Sequence, residues 1–241
     1  MIYCILIGIA IVTEAVFTPL FLHYQHPGIS TRSRICKMIC ATAYVVVAVL
    51  GMLYAGNTSR FAVLVLVGLC LSWVGDLLLH IEGNIYFLIG GVFFAGAHVV
   101  FFVNWLLTKR ALFPNVSLIE LWEIIALLVI FASECVITFK IRNVKAPNKL
   151  LPLLLVYAVF LIGSFISAAA LSRLLWLEGN KAGALLLTLG TFFFMLSDFA
   201  MVPLTFGTEE QRRDKLFKNH NIGTYFAAQT LIALALIFIK T

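Results

Sequence analysis

The sequence has little charge. Only 12% of its 241 residues are Asp, Glu, Lys or Arg, against roughly 25% in a soluble domain. So few charges cannot dress a water-facing surface when 62% of the chain is hydrophobic and the mean hydropathy is +1.05. A soluble protein is excluded. So is the nucleic-acid partner that a net charge of +6 would otherwise invite. No basic stretch precedes the first apolar run, which begins at Ile2, and no clean cleavage pattern follows it. It is therefore expected to be a retained helix and not a signal peptide. The five cysteines (Cys4, Cys36, Cys40, Cys70 and Cys135) lack zinc-finger or C-x-x-C spacing and are expected as buried free thiols. There is no G-x-S-x-G elbow and no H-E-x-x-H, and neither a metal nor a cofactor is expected.

What the chain has instead is long apolar runs. A helix needs about 20 such residues to span the hydrocarbon. Eight runs qualify: 2–22, 35–54, 61–80, 84–107, 118–139, 150–171, 181–203 and 222–239. The expected fold is an all-α, polytopic membrane protein with eight transmembrane helices in one domain over 1–241. The intervening segments read as solvated loops, the longest being "GTEEQRRDKLFKNHN"; His23, His26 and His220 are expected there, exposed. Eleven Lys and Arg flank the loops after helices 1, 5 and 7, against six on the other side. That asymmetry predicts non-cytoplasmic termini. The N-x-S sequons at Asn57 and Asn115 fall on the same non-cytoplasmic side, in loops short for glycosylation. The compartment expected is the endoplasmic reticulum in a eukaryote or the inner membrane in a bacterium.

The two halves resemble each other. "TEAVFT" (Thr13 to Thr18) in helix 1 matches "SECVIT" (Ser133 to Thr138) in helix 5. Gly68, Gly75 and Asp76 in helix 3 match Gly190, Ser197 and Asp198 in helix 7. Asn84-Ile85 and Tyr86-Phe87 in helix 4 match Asn221-Ile222 and Tyr225-Phe226 in the last helix. The scarce polar letters recur at nearly constant offset, which predicts two parallel four-helix repeats, 1–110 and 111–241. The competing reading is that apolar sequences use a small alphabet and resemble one another cheaply.

An ionisable residue within a span costs at least about 2.5–3.5 kcal/mol and belongs in a bundle interior or a wet cavity. Counting roughly 1.5 Å per residue, Glu14, Asp76, Glu134, Asp198 and Gln229 are expected in one slab near the cytoplasmic edge. The same count puts His98 past the midplane. Gly68, Ser72, Gly75 and Asp76 share one face of helix 3, and Gly190, Phe194, Ser197 and Asp198 repeat the spacing in helix 7. Small residues there are expected to let a partner backbone approach and to turn both aspartates inward. Two carboxyls in one partly dry site are expected to settle as one acid and one carboxylate, able to donate a proton and orient a water. A structural hydrogen bond from each is the plainer alternative. Asp76 and His80 stand i, i+4, as metal ligands can, but an interfacial histidine is the preferred reading.

"GLCLSWVGDLLLH…YFLIGGVFFAGAHVVFF", "GTFFFMLSDFAM" and "TYFAAQTLIALAL" resemble, in order and spacing, the motifs of the lysoplasmalogenase family of YhhN-like membrane proteins. The resemblance is strongest over 67–103 and 183–236. It implies hydrolysis of the vinyl ether bond of a lysophospholipid (lysoplasmalogen) to a fatty aldehyde and a glycerophospho-headgroup. By position it implies Asp76 and Asp198 as the catalytic pair. Lys37, His98, Tyr225 and Gln229 are implied as supporting groups, beside Glu14, Glu134 and Ser197. The chain departs from the pattern at Met38 and at Leu204, Thr205 and Phe206, where the family often has Asn-Lys-Phe, and Pro203 is expected to interrupt helix 7. Lys37, Arg212 or Lys215 are then the candidate phosphate cations. Two other classes stay open: a proton- or ion-coupled transporter of a small or lipid-like solute, and a non-catalytic lipid-binding scaffold.

Overall fold

A computed structural model describes residues 1–25, 30–145 and 147–240; His26 lies outside them. All eight expected spans are helices: α1 Ile2–Tyr24, α2 Thr31–Ala55, α3 Arg60–Leu79, α4 Asn84–Leu112, α5 Leu121–Cys135, α6 Leu151–Leu177, α7 Lys181–Phe206 and, after a short α8 at Glu209–Arg213, α9 Lys215–Phe238. Among the described residues, eight helices are long and apolar enough to cross a membrane, α5 counted with the π-helical turn Val136–Ile141 that extends it. The chain is an integral multi-pass membrane protein in architecture, with its lipid-facing surface rich in Ile, Leu and Val.

Up-and-down connectivity puts Met1 at one end of the bundle with the α2–α3, α4–α5 and α6–α7 turns. We call the opposite end, which carries the α1–α2 and α7–α9 connections, the basic end. The main packed pairs are α1 with α2, α3 with α4 and α7 with α9. Next come α4 with α6, α6 with α7 and α2 with α9. Helix α5 rests on α6 at the periphery.

The segment between α7 and α9, expected as a loop, is largely helical. Its own cap chemistry explains this. The Thr208 hydroxyl accepts from Gln211 N while the Gln211 side chain accepts from Thr208 N, and the Asp214 carboxylate accepts from the amides of Leu216 and Phe217. As a result α9 begins seven residues before the apolar run, and His220 is helical. Nor does Pro203 interrupt α7. It sits three residues from the helix end, where a missing amide removes one hydrogen bond and little else remains to be broken. Of the five cysteines only Cys36 and Cys40 are buried; Cys4 and Cys70 face outward. Asn57 is buried, its amide donating to the carbonyls of Leu236 and Ile239 at 2.9 and 2.8 Å. It ties the end of α2 to the end of α9, and its sequon is closed to modification.

The small residues work in two ways. Gly68 and Gly75 leave room for the rings of Phe101 and Phe94 from α4, not for a backbone as expected. Gly190 does admit a backbone: a Cβ there would lie 2.8 Å from Ile232 Cγ1 and 3.1 Å from Ile232 N. Gly190→Ala is therefore expected to cost about 1–3 kcal/mol of stability through α7–α9 separation, read as a lower unfolding midpoint in detergent. An unchanged midpoint contradicts the tight α7–α9 contact.

Candidate active site

Two buried polar nests lie on the inner faces of α3 and α7. In the first, Asp76 is 1% exposed. Its Oδ1 faces Lys37 Nζ at 3.0 Å, and its Oδ2 accepts from the hydroxyls of Tyr225 at 2.6 Å and Tyr44 at 3.2 Å. Lys37 and Tyr44 are two turns apart on α2, so one helix face supplies both, and α9 supplies Tyr225. The carboxylate thus meets a cation and two donors, which is what a buried charge needs to persist.

In the second nest Asp198 Oδ2 meets His98 Nε2 from α4 at 2.8 Å and accepts from the hydroxyl of Tyr157 on α6. Among the described residues no hydrogen bond reaches Asp198 Oδ1. The His98 ring lies between Phe194, with centroids 4.4 Å apart, and Tyr157, at 5.3 Å. His98, expected past the midplane, meets Asp198 and so shares its level in the bundle, not a deeper one.

Aromatic rings separate the two nests and also join them. Phe194 packs edge-on against Tyr225, with centroids 5.7 Å apart, and Phe94 meets Tyr225 at 5.9 Å. Asp76, Tyr225, Phe194, His98 and Asp198 form one continuous sequence of contacts. No hydrogen bond links the two carboxyls directly; each has partners of its own. The nests correspond part by part. Each aspartate sits on the third helix of its half, takes a tyrosine hydroxyl from the second helix of that half, and takes another polar group from the fourth helix of the other half.

The remaining expected residues divide. Tyr225 and Lys37 are in the first nest and His98 is in the second. Ser197 is a clamp: its hydroxyl and carbonyl oxygens accept from the Asn221 amide at 3.1 and 2.7 Å, holding α7 to α9. Glu14 is buried and accepts from Thr230 at 2.7 Å, joining α1 to α9 without a hydrogen bond to either nest among the described residues. Glu134 accepts from Thr138 in its own helical segment at 2.7 Å and joins neither nest. Gln229 is fully buried one turn beyond Tyr225, and neither amide atom has a protein partner; the same holds for Ser72 Oγ, one turn from Asp76. These orphaned polar atoms flank the first nest on the side away from the basic end. His80 is also buried without partners for either nitrogen, its ring 5.3 Å from Phe21.

Tyr44 and Tyr157 were not foreseen. The available signal was their place within apolar runs, since a tyrosine there must find a partner for its hydroxyl, whereas tyrosines at the membrane interface need none.

Comparison with curated proteins and with solved structures gives no significant match. The model of the YhhN family matches residues 31–236, which spans α2 to α9 and includes every member of both nests. The chain belongs to the YhhN family.

Proposed function

We propose that the protein is a membrane hydrolase that cleaves the vinyl ether bond of lysoplasmalogens, with Asp198 as the acid. The observation that carries this reading is the buried Asp198–His98–Tyr157 unit, with one carboxyl oxygen unclaimed, inside a chain of YhhN membership. Vinyl ethers hydrolyse by protonation at the β-carbon. Asp198, as the carboxylic acid, gives that proton, and the α-carbon becomes an oxocarbenium ion. Water then adds to the α-carbon and returns a proton to the Asp198 carboxylate. The hemiacetal collapses: its hydroxyl proton passes to the glycerol oxygen, the carbon–oxygen bond breaks, and aldehyde and glycerophospho-headgroup leave. One water is consumed, and the acid is restored. Tyr157 and His98 hold the carboxyl in place and exchange its proton. Asp76, paired with Lys37 and held by two tyrosines, places a carboxyl across the aromatic wall, where its oxygens favour the cationic intermediate.

The correspondence of the two nests also supports a pair of parallel four-helix repeats, in which one half has kept a charge pair where the other has a proton-exchanging pair. Purified protein is expected to release aldehyde from lysoplasmalogen and not from the saturated ether analogue. Solute uptake into sealed vesicles with no aldehyde release favours the transporter instead. Tyr157→Phe removes one hydrogen bond to the acid, worth about 1 kcal/mol net. It is expected to slow turnover by about five- to tenfold with unchanged folding, measured as initial aldehyde release; an unaltered rate argues against a role for the hydroxyl.

A further inference from the structure

A groove of about 800 Å³ runs along the outer face of α2, walled by Leu6 and Ile9 of α1 and floored by Met38, Ile39, Val46 and Leu50. Its lining is apolar except for two threonines and Arg34, which stands with Leu77 at the basic end. The Arg34 Nε is buried and unpartnered, and no acidic group among the described residues pairs with its guanidinium.

We propose that this groove docks a single-chain phospholipid, with the acyl or alkenyl chain along α2 and the phosphate at Arg34. Two features select this occupant. The cation at the groove's mouth has no counter-charge among the described residues, and its forked guanidinium suits a phosphate oxyanion. The groove is also long: from Arg34 to Leu50 it extends about 24 Å along α2, the reach of one extended acyl chain. Of the cations expected at a phosphate, Lys37 is committed to Asp76, and Arg212 and Lys215 are exposed on other helices. The groove and the Asp76 nest use opposite faces of α2 and meet at neighbouring residues, Met38 beside Lys37 and Leu77 beside Asp76. A lipid drawn from the bilayer would thus be held beside the interior site before entering it.

The choice of lipid rests on the hydrolase reading, but the binding does not require cleavage. The probe is therefore a saturated alkyl lysophosphoethanolamine, which lacks the vinyl ether, titrated into the purified full-length protein and followed by native mass spectrometry. Saturable binding is expected, about tenfold weaker in Arg34→Gln and lost in Val46→Trp, whose indole fills the groove from a lipid-facing position. Asp198→Asn is expected to bind as the wild type does. Equal binding by Arg34→Gln and Val46→Trp overturns the proposal, as does equal competition by two-chain phosphatidylethanolamine. Aldehyde release from lysoplasmalogen is measured in parallel. Intact binding without aldehyde overturns the hydrolase reading alone, and aldehyde release indifferent to Arg34 and Val46 overturns the groove alone.

Discussion

Asp198→Asn is expected to lower aldehyde release by about 10²–10⁴-fold in a protein that stays folded. The amide has no acidic proton for the β-carbon of the vinyl ether. It can still accept from Tyr157 and face His98, so the nest keeps its shape. Single-turnover aldehyde yield and the unfolding midpoint, taken on one preparation, test both halves of the statement. An asparagine variant within tenfold of wild type removes Asp198 from the acid role.

Asp76→Asn is expected to fail differently. It strips the counter-charge from a lysine that is only 5% exposed. Breaking a buried pair by removing one partner costs about 3–5 kcal/mol, and the variant should unfold far more readily. Adding Lys37→Met removes the stranded ammonium, and the double variant is expected to recover most of that loss. The cycle separates architecture from chemistry. A stable but inactive double variant means that the negative charge at position 76 serves turnover. A stable and active one reduces the pair to scaffolding. If Asp76→Asn alone unfolds like the wild type, the ion pair does not hold α2 to α3.

The spans were readable because twenty apolar residues in a row have one physical outcome in a bilayer. Asp76 and Asp198 were readable because a carboxyl within such a run is costly and must face inward. What escaped is what sequence distance cannot convey. His98 was set apart from Asp198 by counting residues from helix ends, yet the packing of α4 and α7 around α6 brings the two together. Glu134 looked equivalent to Glu14, yet it sits on a peripheral helix packed mainly on α6, and its hydrogen-bond partner is a threonine four residues away. The linker before α9 was read as a loop from its charge, although Thr208, Gln211 and Asp214 carry helix-starting chemistry. Tyr44 and Tyr157 stood unremarked among many aromatics; their place within apolar runs called for a hydroxyl partner, but which carboxylate each would meet is set by another helix.

The π-helical turn at Val136–Ile141 has a consequence for which changes in length the chain tolerates. One added residue in a helix rotates everything after it by about 100°. Just past that turn, the Arg142 guanidinium stacks over the Phe217 ring at 5.2 Å, and its carbonyl accepts from the Gln211 amide at 3.0 Å. Deleting a single residue from the turn would swing Arg142 off both partners and free the start of α9, the helix that carries Tyr225. Insertions and deletions at this spot, on the outermost helix of the bundle, are thereby coupled to the geometry around Asp76 on its far side.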